Sequence, residues 1–318
     1  MRWSVLVPAL AAAALSAALA QAAPGAPRAY ASNEGSGTVS VIDTATDGVV
    51  ATFTVGGKPR GIAVSLDGRR LYLSDQAGNG VMIVDTATGA VLGRTPLGHS
   101  PEGIYLSSDG KLLAAAVEED NEVALVDTAS DRVVRRIKMH GKNPEHAVFS
   151  PDGRWLFASS EDADSVDIVD LSRGEVVRSV QVGNRPRGIG FLPDGSRAYV
   201  AAENADTVSV IDVASQSVVA RIKAGKRSNG IAVRPDGKRV YVSTGGDGTV
   251  QVIDTAGNAI VATVPVGKRP WNMAITPDGG KLYVACGRSN AVAVVDTASN
   301  SKLAEIAVGA LPWGVAIR

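Results

Sequence analysis

Hydrophobic and polar residues alternate in short segments from residue 28 to the end of the chain. In the unit that begins at Gly61, four such segments are GIAVS, RRLYLS, GVMIVDT and AVLGRTPLG. They are rich in Val, Ile, Tyr and Thr, and an Asp-Gly pair separates the first two, as is usual in a tight turn between antiparallel strands. No sustained helical period follows residue 25, so the pattern predicts β-strands rather than helices.

This four-strand unit repeats along the chain. The third segment of each unit ends in an aspartate, and successive aspartates are 42 or 43 residues apart. They are Asp43, Asp85, Asp127, Asp170, Asp212, Asp254 and Asp296. Four antiparallel strands in a repeat of about 40 residues are typical of a propeller blade, so the seven copies predict an all-β, seven-bladed β-propeller.

The first and last strands are expected to share one blade. The sequence RAYAS near residue 28 has the composition of a second strand, whereas the C-terminal WGVAIR matches a first strand. Residues 313–318 should therefore supply the inner strand of the blade whose other three strands lie within 28–55. This one-plus-three closure would tie the ends of the domain together and protect strand edges that could otherwise template aggregation.

The repeats resemble the YVTN family of bacterial β-propeller repeats over roughly residues 28–318. The segments YASNEGSGTVSVIDTAT and VVATFTVGGKPRGIAVSLDG carry this resemblance, and six similar units follow them. The C-terminal PWGVAIR is similar to the subgroup associated with quinone-dependent alcohol catabolism. The resemblance implies an exported propeller, and related propellers have haem or quinone-enzyme functions. It implies no particular reaction, because one fold hosts many functions.

Residues 1–22 are predicted to be a secretory signal peptide. A basic residue precedes a run dominated by Ala and Leu, and small residues allow cleavage after Ala20 or Ala22. The run is too short and too rich in Ala for a good membrane-spanning helix. We therefore expect residues 23–318 to form a periplasmic or secreted propeller, monomeric and without a membrane span.

Charge and motifs exclude several classes of function. The chain has 32 basic and 32 acidic residues, so no excess of positive charge favours nucleic acid. Cys286 is the single cysteine, which rules out an intramolecular disulfide, and we interpret it as a buried, unreactive thiol. The sequence has no C-x-x-C-H haem motif, no Walker or dinucleotide loop, and no G-x-S-x-G nucleophile elbow.

The loops that enter the inner strands differ from repeat to repeat, and variable loops on a rigid scaffold are where binding sites lie. Seven aligned residues are predicted to form a ring at the mouth of the central channel: Arg60, Glu102, Glu145, Arg187, Asn229, Trp271 and Trp313. The next position is glycine in five repeats but His146 and Asn272 in the other two, and Tyr105 interrupts a column of small residues. These ten residues are the candidate site for a ligand or partner.

Two columns of charged residues flank this ring. The glutamate column comprises Glu34, Glu118, Glu161 and Glu203, and the basic column comprises Lys58, Arg185, Arg227 and Arg269. Both columns are part of the repeated sequence pattern. We therefore interpret the glutamate column as structural or solvated and the basic column as ordinary surface charge. Their uneven distribution would also polarise the mouth, which could orient a charged ligand or partner.

A tentative metal site combines His99, Glu102, Glu145 and His146, since imidazole and carboxylate groups suit zinc, copper or similar ions. No short ligand spacing such as H-x-x-x-H supports this set. The sequence therefore indicates no definite cofactor, and a divalent metal is the only candidate.

Three functions follow as hypotheses. The sequence favours a binding or accessory propeller without catalytic activity, for a small molecule or a periplasmic protein, because recognised catalytic motifs are lacking. The alternative is a metal-dependent lactonase or lyase at the same mouth. Seven-bladed lactonases place carboxylates and Asn around a divalent cation, and the residues here that could match are Glu102, Glu145, His146, Asn229 and Asn272. A haem- or quinone-associated redox accessory protein is the third hypothesis and depends on the resemblance alone.

Overall fold

The computed structural model describes residues 27–318, and the predicted signal peptide lies outside this range. The described residues form seven four-stranded antiparallel sheets. Each sheet is one blade, and the inner strands of successive blades pack side by side around a central channel. The predicted seven-bladed β-propeller is therefore confirmed.

The strands of each blade run from the channel to the outer rim in the following order. Blade 1 contains β28 (Pro312–Ile317), β1 (Arg28–Asn33), β2 (Thr38–Asp43) and β3 (Gly48–Thr54). Blade 2 contains β4 (Pro59–Val64), β5 (Arg70–Asp75), β6 (Gly80–Asp85) and β7 (Val91–Pro96). Blade 3 contains β8 (Pro101–Leu106), β9 (Leu112–Val117), β10 (Glu122–Asp127) and β11 (Arg132–Lys138). Blade 4 contains β12 (Pro144–Phe149), β13 (Trp155–Ser160), β14 (Ser165–Asp170) and β15 (Glu175–Gln181).

The remaining three blades keep the same order. Blade 5 contains β16 (Pro186–Phe191), β17 (Arg197–Ala202), β18 (Thr207–Asp212) and β19 (Ser217–Lys223). Blade 6 contains β20 (Ser228–Val233), β21 (Arg239–Thr244), β22 (Thr249–Asp254) and β23 (Ala259–Pro265). Blade 7 contains β24 (Pro270–Ile275), β25 (Lys281–Cys286), β26 (Ala291–Asp296) and β27 (Ser301–Ala307). Two single-turn 3₁₀ helices occupy Glu161–Ala163 and Gly287–Ser289. Within residues 27–318, no helix is long and apolar enough to cross a membrane.

Blade 1 closes the ring as predicted. Strand β28 pairs antiparallel with β1, with Ala29 opposite Ile317. The backbone N–H of Arg28 also donates to the carbonyl of Arg318 at 2.7 Å. The last strand of the chain therefore completes the sheet that the first three begin.

The hydrophobic core lies between neighbouring blades. One cluster packs Val39 and Val41 of blade 1 against Leu71 and Leu73 of blade 2, and equivalent clusters lie between other neighbouring blades. The middle strands are buried along nearly their whole length, whereas most positions of the outer strands are exposed or half-buried. Each middle strand is therefore covered by an adjacent blade on both faces, and the rigidity of the propeller comes from this layered packing.

A β-bulge positions each ring residue at the channel mouth. In blade 2, Pro59 pairs with Asp75, but the next regularly paired residue on that strand is Ile62, so Arg60 falls in the irregular segment. The backbone N–H of Gly61 in this bulge donates to Ser74 Oγ at 2.8 Å. The other six blades have an irregularity at the same junction. Because a bulge re-aims a side chain, this device turns one residue per blade toward the channel.

Candidate functional site

The structure brings all ten predicted site residues together in two adjoining cavities. The mouth cavity, of about 130 Å³, is lined by the seven ring residues together with Glu34, His146 and Arg269. A second cavity, of about 60 Å³, lies further along the channel and is lined by Tyr105 and Asn272 among others. Trp313 lines both cavities and therefore separates the mouth from the interior of the channel.

Arg60 forms the first ion-pair group of the mouth. It contacts Glu102, the equivalent ring residue of the next blade, and its other terminal nitrogen lies 3.2 Å from Glu34 Oε1. The amide of Gln76 also donates to Glu102, at 3.2 Å. Burial, together with the neighbouring carboxylate of Glu145, raises the pKa of Glu102 well above its usual range despite the contact with Arg60.

Arg187 forms the second and larger group. It pairs with Glu145 across the boundary between blades 4 and 5, and it lies 3.2 Å from Glu161 and 3.0 Å from Glu203. The side chain of Arg187 is only 14% exposed. Burial would lower the pKa of Arg187, but the surrounding carboxylates outweigh burial and raise it. Arg187 is thus a fixed positive charge in the mouth.

Members of both charged columns take part in this group. Arg185 lies 2.6 Å from Glu161, and Arg269 lies 2.8 Å from Glu203. Arg269 is also positioned over the ring of Trp271, 5.8 Å from the ring centroid. Arg269 is therefore not ordinary surface charge, because its side chain is 14% exposed and is held by a glutamate from another loop, whereas the side chain of Arg185 stays 40% exposed.

The carboxyl groups of Glu145 and Glu161 have pKa values that are shifted in opposite directions. Burial would raise the pKa of Glu145, but the charge of Arg187 outweighs it and lowers the pKa to about 2. Burial and the nearby carboxyl group of Glu145 raise the pKa of Glu161 to about 8, although Arg187 and Arg185 act in the opposite direction. Arg187 therefore favours the ionised form of Glu145, whereas burial favours the neutral form of Glu161.

His146 connects the mouth to the second cavity. Its Nδ1 lies 2.6 Å from the hydroxyl of Tyr105, and its ring stacks on Trp313 at 5.9 Å between centroids and 15° between planes. Burial lowers the pKa of His146 to about 4, so the imidazole is neutral at physiological pH. The equivalent residue of the preceding blade is Gly103, where a side chain would crowd the His146 ring.

Several buried polar atoms around the mouth have no hydrogen-bond partner within residues 27–318. They are Arg60 Nε, Glu145 Oε2, His146 Nε2 and Asn272 Nδ2. A larger, shallower groove of about 580 Å³ lies between blades 6 and 7, but no residue that lines it has such an atom. Because unpartnered buried polar groups are rare and need a partner, the mouth is the stronger candidate site.

The tentative four-residue metal set is not assembled. The side chain of His99 is 66% exposed, does not line the mouth, and pairs with Asp120 at 2.9 Å. Instead, Glu118 joins Glu145 and Glu161 in a group of carboxylates whose nearest oxygens all lie within 4.8 Å of one another. His99 lies apart from Glu102, Glu145 and His146 because its ring is exposed and pairs with Asp120 outside the mouth.

Two family models match parts of the chain. The model described as "Lactonase, 7-bladed beta-propeller" matches residues 170–310, and the model described as "Cytochrome D1 heme domain" matches residues 107–202. Neither match spans half of the chain. No curated protein matches the chain significantly.

Solved structures resemble the whole propeller. A structure described as "Kuenenia stuttgartiensis Hydrazine Synthase" is 26% identical, covers 85% of this chain and 92% of its own, and has a TM-score of 0.78. A functionally unknown protein from Desulfotomaculum acetoxidans DSM 771 is 17% identical, covers 91% of this chain and 98% of its own, and has a TM-score of 0.81. The chain is therefore a seven-bladed β-propeller that is similar in part to lactonase and cytochrome D1 haem-domain propellers.

Proposed function

We propose that this protein is a binding propeller that takes a small polar ligand, or the polar end of a larger one, in the mouth cavity. The observation that carries the proposal is that four buried polar atoms without protein partners within residues 27–318 lie around this mouth. Leaving such an atom unpaired costs about 1–3 kcal/mol. A ligand that pairs with several of them would recover this free energy.

The lining of the cavity limits the chemistry of the ligand. Blades 2 to 5 contribute charged ring residues, whereas blades 6, 7 and 1 contribute Asn229, Trp271 and Trp313. A ligand that fits both halves carries hydrogen-bonding or charged groups on one side and a flat surface, on which indole rings stack, on the other. The cavity holds about 130 Å³, or roughly four water molecules at about 30 Å³ each. It therefore encloses a small ligand or the polar end of a larger one, and the rest of a ring-sized ligand would extend out of the mouth.

The test is a calorimetric titration of the mature protein, in a chelating buffer, with probes that combine these features. The probes are imidazole-4-acetate, benzamidine, nicotinate and 4-aminobenzoate. We expect at least one to bind the wild type in a saturable way, and to bind His146→Gln about tenfold more weakly, a loss of about 1.4 kcal/mol. His146→Gln removes the stacked ring while keeping a polar group.

The matched control is Arg132→Gln, which changes an exposed residue on the outer strand β11. It should bind the same probe as the wild type does. If no probe binds the wild type, or if His146→Gln and Arg132→Gln bind equally well, the mouth is not the site of such a ligand and the proposal is wrong.

A lactone hydrolase is the second candidate, supported by the match of the lactonase model to residues 170–310. The mouth contains a neutral imidazole, His146, and a carboxyl group with a raised pKa, Glu102. Such a pair could act as general base toward water and general acid toward the leaving oxygen. Hydrolysis of glucono-δ-lactone or γ-butyrolactone, lost in His146→Gln, would favour this candidate, and absence of turnover in the wild type would remove it.

A haem-binding role has less support, although the cytochrome D1 model matches residues 107–202. A mouth cavity of about 130 Å³ is too small for a porphyrin without rearrangement of Arg60, Arg187 and the two tryptophans. We therefore place the redox hypothesis behind the other two.

A further inference from the structure

Three carboxylates from two adjacent blades converge beside the mouth. Glu118 follows β9 in blade 3, whereas Glu145 lies on β12 and Glu161 follows β13 in blade 4. Their nearest oxygens all lie within 4.8 Å of one another. We refer to Glu118, Glu145 and Glu161 as the acidic triad.

Side chains outside the triad contact each of its three members, and Glu161 is held through both oxygens, since its Oε2 lies 3.2 Å from Arg187. Oε2 of Glu118 accepts a hydrogen bond from Ser100 at 2.8 Å. Oε1 of Glu145 contacts Arg187, and Oε1 of Glu161 lies 2.6 Å from Arg185. The carboxylates are therefore fixed in direction from outside the triad.

The second oxygen of Glu145 points to a missing partner. Glu145 is only 3% exposed, and its Oε2 has no hydrogen-bond partner among residues 27–318. Because a carboxylate oxygen only accepts hydrogen bonds, Oε2 of Glu145 needs a donor or a cation as its partner.

The balance of charge leads to the same place. Ion pairs at the mouth link five glutamates to five arginines: Glu34, Glu102, Glu145, Glu161 and Glu203 with Arg60, Arg185, Arg187, Arg227 and Arg269. Glu118 is the sixth glutamate, and it forms no ion pair with any residue in the described part of the chain. Glu118 therefore brings to the triad a carboxyl group that no basic side chain within residues 27–318 pairs with.

We propose that the acidic triad binds one calcium ion, which bridges blades 3 and 4 at the edge of the mouth. The donors are carboxylate oxygens without nitrogen or sulfur, which suits a hard cation rather than zinc or copper. Calcium takes oxygen ligands at about 2.3–2.6 Å, so oxygens on opposite sides of the ion stand about 4.6–5.2 Å apart. The triad oxygens lie within 4.8 Å of one another, close enough to share one such ion. Calcium also accepts irregular arrangements of oxygen ligands, whereas magnesium demands near-ideal octahedral geometry.

The experiment uses the mature protein after removal of metals with a chelator. Calcium chloride is titrated into it at neutral pH by isothermal calorimetry, and equilibrium dialysis with radioactive calcium counts the bound ions. We expect one calcium per chain. Glu118→Gln and Glu161→Gln should each bind calcium about tenfold more weakly or worse, because each removes a charged ligand.

Glu119→Gln is the matched control, since Glu119 is exposed, adjacent in sequence and outside the triad. It should bind calcium as the wild type does, and circular dichroism should show that every variant is folded. Absence of bound calcium at millimolar concentration would overturn the proposal. Equal affinity in Glu118→Gln, Glu161→Gln and Glu119→Gln would overturn it too. The titrations with organic probes are made in chelator, so failure of this site and failure of the ligand site are distinguishable.

Discussion

Replacing Arg187 by methionine should destabilise the protein in a way that depends on pH. The substitution keeps much of the side-chain length but removes the charge that contacts Glu145, Glu161 and Glu203. Glu161 would retain Arg185, and Glu203 would retain Arg269. Among its ion-pair partners within residues 27–318, Glu145 has Arg187 alone, and its side chain is 4% exposed. The loss therefore falls on one buried carboxylate.

The magnitude follows from the proton that Glu145 would have to take up. Its ordinary pKa is 4.5, and one pH unit corresponds to about 1.36 kcal/mol. Holding a proton on such a group at pH 7 therefore costs about 3.4 kcal/mol, which agrees with the roughly 3–5 kcal/mol typical of breaking a buried ion pair. At about 2 °C per kcal/mol for a large domain, the midpoint of thermal unfolding should fall by about 7 °C.

The sign of the pH dependence is fixed by the same argument. In the wild type the pKa of Glu145 is lowered to about 2, so its stabilising effect is complete above pH 4.5 and is lost as the pH falls through about 2. In Arg187→Met the pKa of Glu145 should be raised, so stability is lost as the pH rises above 4.5. The difference in stability between wild type and variant should therefore shrink by about 2.7 kcal/mol between pH 7 and pH 5, at about 1.36 kcal/mol per pH unit.

The assay is thermal and urea-induced unfolding, followed by circular dichroism in chelating buffer between pH 5 and 8. Two controls accompany it. Arg173→Met breaks an exposed pair with Glu175 and should cost less than about 1 kcal/mol at every pH. The double variant Arg187→Met/Glu145→Gln has no unpaired buried carboxylate at position 145, so it should recover most of the lost free energy of unfolding. A cost that does not change with pH, or a double variant no more stable than Arg187→Met, would refute the reasoning.

Other parts of the fold give further expectations. Gly230→Ala should destabilise the protein by about 1–3 kcal/mol in the same unfolding assay, because a Cβ there would overlap the carbonyl oxygen of Trp271. Its control, Gly93→Ala, should be neutral or slightly stabilising, because no atom lies near the added Cβ. Cys286 should react with thiol reagents only after unfolding, since it is 1% exposed and burial raises its pKa to about 12; reaction of the native protein at pH 8 would contradict this. Removing residues 312–318 should abolish cooperative unfolding, because blade 1 would lose its inner strand.

The positions of the ring residues could be predicted because they depend on register alone. Arg60 and Glu102 stand at the same point of two successive repeats, and any propeller with one repeat per blade places such residues side by side. The bulge that turns them inward has no distinct sequence pattern, but it occurs in all seven blades and so preserves the column. Repetition thus makes the backbone of the site predictable.

The pairing of side chains could not be predicted in the same way. Arg269 and Arg227 occupy equivalent positions, yet the side chain of Arg269 is 14% exposed and that of Arg227 is 59% exposed. Which of them turns inward depends on where Glu203 lies, and therefore on rotamers and on loops of other blades. The acidic triad could not be predicted for the same reason. Glu118 belongs to the glutamate column, whose other members gave no sign that it would lie beside Glu145.

The two adjacent glutamates of the ring are a sequence feature that indicates the charged half of the mouth, and their energetic cost supports a functional role for it. Glu102 and Glu145 are neighbours in the ring, and like charges in a buried place oppose folding. Each is compensated by an arginine on its far side, Arg60 or Arg187. Buried ion pairs of this kind are often no more stabilising than well-packed neutral residues, such as those that the ring uses in blades 6, 7 and 1. A structural plug would need none of these charges, so their presence is better explained by a ligand or ion that uses them.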